Sequence, residues 1–215
     1  MTFRLVIGDK NWSSWSLRPW ILLKQAGIPF EEISVRLRQP DTAAQIAVHS
    51  PSGWVPVLLT DEGEVWDSLA ICEYLADRFP EKKLWPAERY ARAVARSVSA
   101  EMHSGFPSLR KEMSMFCLAR IALPSVSDDT LKDIARIIAM WEDCRRRFGQ
   151  GGPFLFGDFS VADAMFAPVV TRFRTYGVAL GDELQGYCDA VMALDAMQEW
   201  LAGARVEEEA KAAQG

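Results

Sequence analysis

Strand-forming signals in this chain end before residue 90, and helical patterns then run alone to the C-terminus. No other feature restricts the fold as much. In the first part, "FRLVIG" reads as a strand. "SLRPWILLKQAGI" reads as a helix, with Leu17, Trp20, Ile21 and Leu23 near helical spacing and a glycine C-cap. "FEEISVRL" follows as a roughly alternating strand and "TAAQIAVHS" as a short helix. "SGWVPVLLTDEGEVWDS" gives two strands about the turn "TDEGE", and "SLAICEYLADRFP" a helix closed by Pro80.

Two parallel strands joined by a helix, then an antiparallel pair and a closing helix, make an α/β layer with a mixed four-stranded sheet. This is the thioredoxin-like arrangement. Beyond "KKLWPAE" the chain is all-α. A long helical pattern from Tyr90 is predicted to break near Gly105 and Pro107. "SDDTLKDIARIIAMWEDCRRRF" starts at the cap-favouring Ser127 and ends in arginines before Gly149. "FSVADAMFAPVVTRFRTYG" and "ELQGYCDAVMALDAMQEWLAGA" add further helices, and the polar tail "RVEEEAKAAQG" is expected to fray. The expected division is 1–85 for the sheet domain and 86–215 for the helical one.

A net charge of −5 argues against a nucleic-acid surface, which needs a concentrated basic footprint. With 49% apolar residues, the chain is ordinary for a globular protein and has no run long enough for a membrane span. The N-terminus reads as a strand rather than a secretory signal, so a cytoplasmic location is expected. Cys72, Cys117, Cys144 and Cys188 form no C-x-x-C pair, and only His49 and His103 could join them, so neither a metal site nor a disulfide framework is expected.

Three groups of residues carry a resemblance to the cytosolic glutathione transferases. They are the serine cluster in "NWSSWSLRPW", "WVPVLL" followed by "DSLAICEYL", and "FSVADAMFAPV". Their order and spacing cover nearly the whole chain. The resemblance implies glutathione as co-substrate, a small electrophile as acceptor in a site contributed by the helical domain, and a homodimer.

Each group also has a reading from its own residues. A proline inside a strand belongs at an edge, a bulge or a strand start. A cis Val55–Pro56 bond, which the resemblance implies, leaves the Val55 main chain free to pair with an extended peptide such as glutathione. Trp54, Val55 and Pro56 are therefore glutathione-binding candidates. Asp67 and Ser68 open a helix whose free amides suit an α-carboxylate, while Asp67 could receive the substrate ammonium; simple capping is compatible with both roles. Ser160 and Asp163 fit a capping box, and loss of Asp163 is expected to harm folding before chemistry.

A free thiol near pKa 8.5 is only a few per cent thiolate at neutral pH. Lowering it by about two units takes roughly 2.7 kcal/mol of preference for the anion. Hydroxyl and amide donors at a helix N-terminus can supply that, and Ser13 and Ser14 are placed for it. The loop has neither tyrosine nor cysteine, so it is most similar to the serine-type loop of the zeta class. There Ser13 matches the serine held responsible and Ser14 is its rival. Trp15 stands where that pattern has cysteine, which weakens transfer of the class's maleylacetoacetate isomerisation. Ser14 or Ser16 as N-cap, with Pro19 in the first turn, is the competing structural reading.

The acceptor wall is sought in Trp15, Met102, Phe106, Arg110 and Met113, with core packing as the alternative. A solvated or structural role is expected for Arg18, and a structural or exposed one for His103. Conjugation, isomerisation and reduction of an electrophile all fit such a site. A binding module that keeps the fold without catalysis is the rival.

Overall fold

The computed structural model describes residues 3–123 and 125–213. Strand β1 (Phe3–Gly8) leads through helix α1 (Ser14–Gln25) to β2 (Phe30–Val35) and α2 (Thr42–Ala47). Strands β3 (Val57–Leu59) and β4 (Glu64–Trp66) and helix α3 (Ser68–Arg78) complete this part. The sheet order is β2-β1-β3-β4, with β1 parallel to β2 and antiparallel to β3, and β3 antiparallel to β4. This is the mixed, thioredoxin-like sheet expected.

From Leu5 to Ile7 strand β1 is apolar and fully buried at every position because both its faces are covered there. Leu5 and Ile7 point into the main core with α1 and α3, while Val6 joins Val35, Ile46 and Val57 in a smaller cluster that includes α2.

The remainder is helical: α4 (Arg89–Ser104), α5 (Pro107–Glu112), α6 (Asp128–Phe148), α7 (Val161–Tyr176), α8 (Asp182–Ala193) and α9 (Asp195–Ala212). The break at Gly105 and the restart at Pro107 fall where the sequence puts them. Helix α7 is the central post, buried along every residue but Arg174, and it packs against both α1 and α4. Asp163 fixes its start by accepting from the Ser160 amide at 2.9 Å, the Ser160 hydroxyl at 3.0 Å and the Leu155 amide at 3.0 Å. Burial pushes this carboxyl up to about 6 against those hydrogen bonds. No helix among the described residues is long and apolar enough to cross a membrane.

Two local expectations need correction. The tail does not fray along its length: α9 continues to Ala212, with residues 214–215 outside the described ones. The reason is tertiary. Glu207 accepts from the Lys10 amide at 2.8 Å, and Lys211 pairs with Asp9 at 2.5 Å, so the last turns are docked on the end of β1. Helix α1, in turn, begins at Ser14 with Ser13 as N-cap, earlier than a start near Ser16 and Pro19. Pro19 therefore lies inside the helix and leaves the Trp15 carbonyl without its usual amide partner.

Candidate functional site

A cleft of about 480 Å³ opens where three element ends converge. The first is the start of β3. Val55–Pro56 is cis, and Ser50 braces the preceding turn by donating to the Trp54 carbonyl at 2.8 Å and accepting from its amide at 3.3 Å. Among the described residues the Val55 main-chain N–H and C=O are unpaired. Trp54 is 77% exposed and forms a rim rather than a wall.

The second end is the N-terminus of α3. Asp67 caps it through one carboxylate oxygen, which accepts from Leu69 N–H at 2.8 Å and Ala70 N–H at 3.2 Å. Its φ of 74° is a conformation that costs an ordinary residue about 1–3 kcal/mol. The other oxygen of Asp67 lies 3.1 Å from His103 Nε2 on α4, so the helical half reaches into the cleft. Burial lowers the pKa of His103, aided by Arg18 and Arg110 and opposed by Asp67. A neutral imidazole carrying its proton on Nε2 satisfies both the contact and that direction. Its Nδ1 is buried and unpartnered.

The third end is the N-terminus of α1. The Asp9 carbonyl accepts from the amides of Trp12 at 3.1 Å and Ser13 at 2.8 Å, which folds the loop tightly over the end of β1. Asn11 ties the same loop to the segment after α5 by accepting from the Leu118 amide at 3.2 Å. Ser13 gives the helix no side-chain cap. Its hydroxyl instead donates to Ser16 Oγ at 2.7 Å, and Ser16 Oγ accepts from the Gly8 amide at 3.1 Å. The first-turn amides are thus left without a side-chain acceptor, and they retain their preference for an anion. Ser14 is buried, and its hydroxyl makes no hydrogen bond among the described residues.

Arg18 ties these ends together. Its guanidinium is wholly buried, donates to Ser68 Oγ at 3.2 Å and lies 4.3 Å from the Trp15 ring centre. Trp15 also lines a second cleft on the α1 loop, which Ser14, Arg38, Arg110 and Arg172 share.

Trp15, Trp54, Val55, Pro56, Asp67 and Ser68 therefore meet at the first cleft, with Ser14 and Arg110 at the second. Ser13 is buried at the N-cap of α1 and lines neither. Met102, Phe106 and Met113 are core residues and line neither cleft. The kink that was expected to present them turns their side chains inward, against α7 and its neighbours. Arg18 is buried, not solvated, and His103 lines the first cleft. An arginine in a first turn and a single histidine on a long helix gave no local sign of either placement.

Two family models match. The N-terminal domain of glutathione S-transferases covers residues 12–78, and the C-terminal domain covers residues 124–203. A mouse relative, glutathione S-transferase omega-2, is 30% identical over 168 residues, or 77% of this chain and 64% of its own length. A zeta-class glutathione S-transferase from Euphorbia esula is 25% identical over 168 residues, 75% of this chain and 74% of its own. The chain spans between 58% and 64% of the length of three omega relatives that it matches. A crystal structure of a glutathione transferase homolog from Burkholderia, with bound glutathione, superposes with a TM-score of 0.72 at 23% identity and covers 95% of this chain and 99% of its own. That likeness establishes the shared fold.

Proposed function

Since the chain belongs to the glutathione S-transferase family, we propose that it is a glutathione transferase of the serine type. It holds glutathione in the cleft between Trp54–Pro56 and Ser68, ionises the thiol at the N-terminus of α1 and directs the sulfur at a small electrophile. The observation that carries this reading is the convergence of an unpaired Val55 main chain, the Asp67–Ser68 helix start and the uncapped start of α1, with Arg18 joining the last two. Val55 pairs with the peptide portion of the tripeptide. With the Leu69 and Ala70 amides held by Asp67, the Ser68 amide and hydroxyl receive the γ-glutamyl carboxylate, and the other oxygen of Asp67 receives the ammonium.

By its place in the serine-type loop Ser13 is the leading donor to sulfur, and because it is buried at the N-cap its hydroxyl proton has to leave Ser16 and turn toward the cleft when glutathione binds. If the hydroxyl pair reverses, so that Ser16 donates to Ser13 while still accepting from Gly8 N–H, the Ser13 proton is free for the thiolate. The chain of donors then strengthens it. The first-turn amides add to the same preference for the anion. The serine-type assignment rests on this loop, since an omega relative matches at 30% identity and a zeta-class one at 25% over the same length of 168 residues. The reading includes a homodimer in the cytoplasm. The four buried free thiols suit a reducing compartment.

Absorbance titration of the bound glutathione thiolate tests the proposal. The bound thiol should ionise at least about one unit below free glutathione, equivalent to about 1.4 kcal/mol. A bound thiol with its solution pKa would reduce the protein to a binding module, and failure to bind glutathione would overturn the reading altogether.

A further inference from the structure

The second cleft, about 240 Å³ in volume, is bounded by Trp12 and Trp15 and lined by Arg38, Arg110 and Arg172. None of these arginines, nor Arg18 behind Trp15, makes an ion pair among the described residues, although the chain as a whole carries a net charge of −5. The carboxylates that do act on the group are more distant: Asp133 on Arg110, and Asp67 on Arg18.

The guanidiniums are held in place by neutral acceptors. Arg110 donates to the carbonyls of Gly105 at 2.9 Å and Met102 at the end of α4, and its charge lies 4.7 Å from the Trp15 ring centre. Arg172 donates from Nε to the Met113 carbonyl at 2.8 Å and from Nη1 to Pro168 at 3.3 Å. Arg38 lies 4.8 Å from the ring centre of Trp12. Nη1 of Arg110 and Nη2 of Arg172 have no hydrogen-bond partner among the described residues.

Carbonyls and ring faces orient such cations without neutralising them. A cluster of like charges that includes the buried Arg172 and half-buried Arg110 is costly, and a bound anion would relieve that cost while meeting the free nitrogen of each. The flat indole and guanidinium groups that bound the cleft favour a planar group. Ser14, with its free hydroxyl, lines the same cleft.

We infer that this arginine-lined cleft selects the second substrate: a small planar electrophile, aromatic or unsaturated, that carries a carboxylate. The inference rests on the glutathione reading only for the reaction, since binding of the anion needs the arginines alone.

The probe is 4-chloro-3,5-dinitrobenzoate against its methyl ester. In the reaction with glutathione, the thiol proton goes to solvent, the sulfur bonds to the ring carbon, and the carbon–chlorine bond breaks with loss of chloride. With each rate divided by its uncatalysed counterpart, the acid should exceed the ester at least tenfold in kcat/KM. Arg38→Met and Arg110→Met should each cut that preference by about five- to tenfold, while Arg4→Met, at an exposed position of β1 away from the cleft, leaves it unchanged. Arg38 is exposed, so its variant carries the test if Arg110→Met fails to fold.

Calorimetry with unreactive 3,5-dinitrobenzoate, without glutathione, separates the two readings. Binding that depends on Arg38 and Arg110 in a protein that does not ionise glutathione would sustain the anion site and sink the transferase. Equal use of acid and ester, variants without effect, or no binding of dinitrobenzoate at millimolar concentration would each overturn the inference.

Discussion

Arg18 and Ser68 stand fifty positions apart and meet at 3.2 Å, joining the start of α1 to the start of α3 beneath the cleft. The other two donor groups of that guanidinium, Nε and Nη2, are buried and unpartnered. A buried charge with so little compensation does not serve stability, and replacing such a group by an apolar one of similar length is often neutral or stabilising. Arg18→Met should therefore keep or raise the melting temperature while weakening glutathione binding about tenfold, because Ser68 loses its orienting partner and the cleft loses a positive field. A variant that melts several degrees lower and binds glutathione unchanged would make Arg18 purely structural.

The serines of the α1 loop differ in what they touch, so their alanine variants should differ too. Ser13→Ala removes the leading sulfur donor and should raise the pKa of the bound thiol by about one unit, or about 1.4 kcal/mol. Ser16→Ala removes the group behind it, which also accepts from Gly8 N–H. It should cause a smaller rise in thiol pKa together with a stability loss of about 1 kcal/mol. Ser14→Ala should leave the thiol pKa nearly unchanged and act on the electrophile's KM. A larger thiol shift for Ser14→Ala than for Ser13→Ala would exchange the two roles.

Asp163 sets a pH dependence of stability that has nothing to do with catalysis. Burial raises its carboxyl to about 6, above the ordinary aspartate value near 3.9, so the folded chain holds a proton there that the unfolded chain has released. Stability from this group is fully present below about pH 4 and falls as pH rises toward 6, by an amount on the order of 2–3 kcal/mol. Asp163→Asn keeps one carbonyl acceptor but loses the other. It should cost about 1–3 kcal/mol at pH 4 and remove this part of the pH dependence. Urea denaturation of both proteins at pH 4, 5, 6 and 7 reads the difference directly.

The fold was legible because its signals are local. The alternation of strand and helix runs, the break at Gly105 and Pro107 and the Ser160–Asp163 box each lie within a few residues. The cleft was half legible for the same reason: Val55–Pro56 and Asp67–Ser68 mark backbone geometry, which sequence spacing describes. Side-chain direction was not legible. Met102, Phe106 and Met113 share a segment with Arg110 but turn to the core, whereas Arg110 turns to the cleft. Arg18 and His103 gain their positions from α3, fifty and thirty-six residues away in opposite directions, and nothing adjacent to them records that. The helical tail is a similar case, since its order comes from Lys10 and Asp9 at the far end of the chain.

His103 faces Asp67, Arg18, Arg110 and the Trp15 ring, which it meets edge-on with centres 5.3 Å apart. Its lowered pKa keeps it neutral at pH 7, so its proton on Nε2 reaches Asp67 without cancelling the carboxylate's charge. As pH falls below the unperturbed value near 6.5 and through the folded one, the ring becomes cationic. Two consequences follow from the same step. The stability tied to the neutral, half-buried ring is lost over that window, because the unfolded chain takes up the proton first. The imidazolium then competes with the substrate ammonium for Asp67. The ammonium and carboxylates of glutathione do not titrate between pH 5 and 7, and S-methylation removes its thiol from the balance, so the Kd of S-methylglutathione should rise as pH drops from 7 to 5 through the charging of His103. His103→Gln can still donate to Asp67 but cannot charge, and its Kd for S-methylglutathione should be flat over that range. Equal pH profiles for the variant and the parent protein, measured by calorimetry, would remove His103 from the binding site.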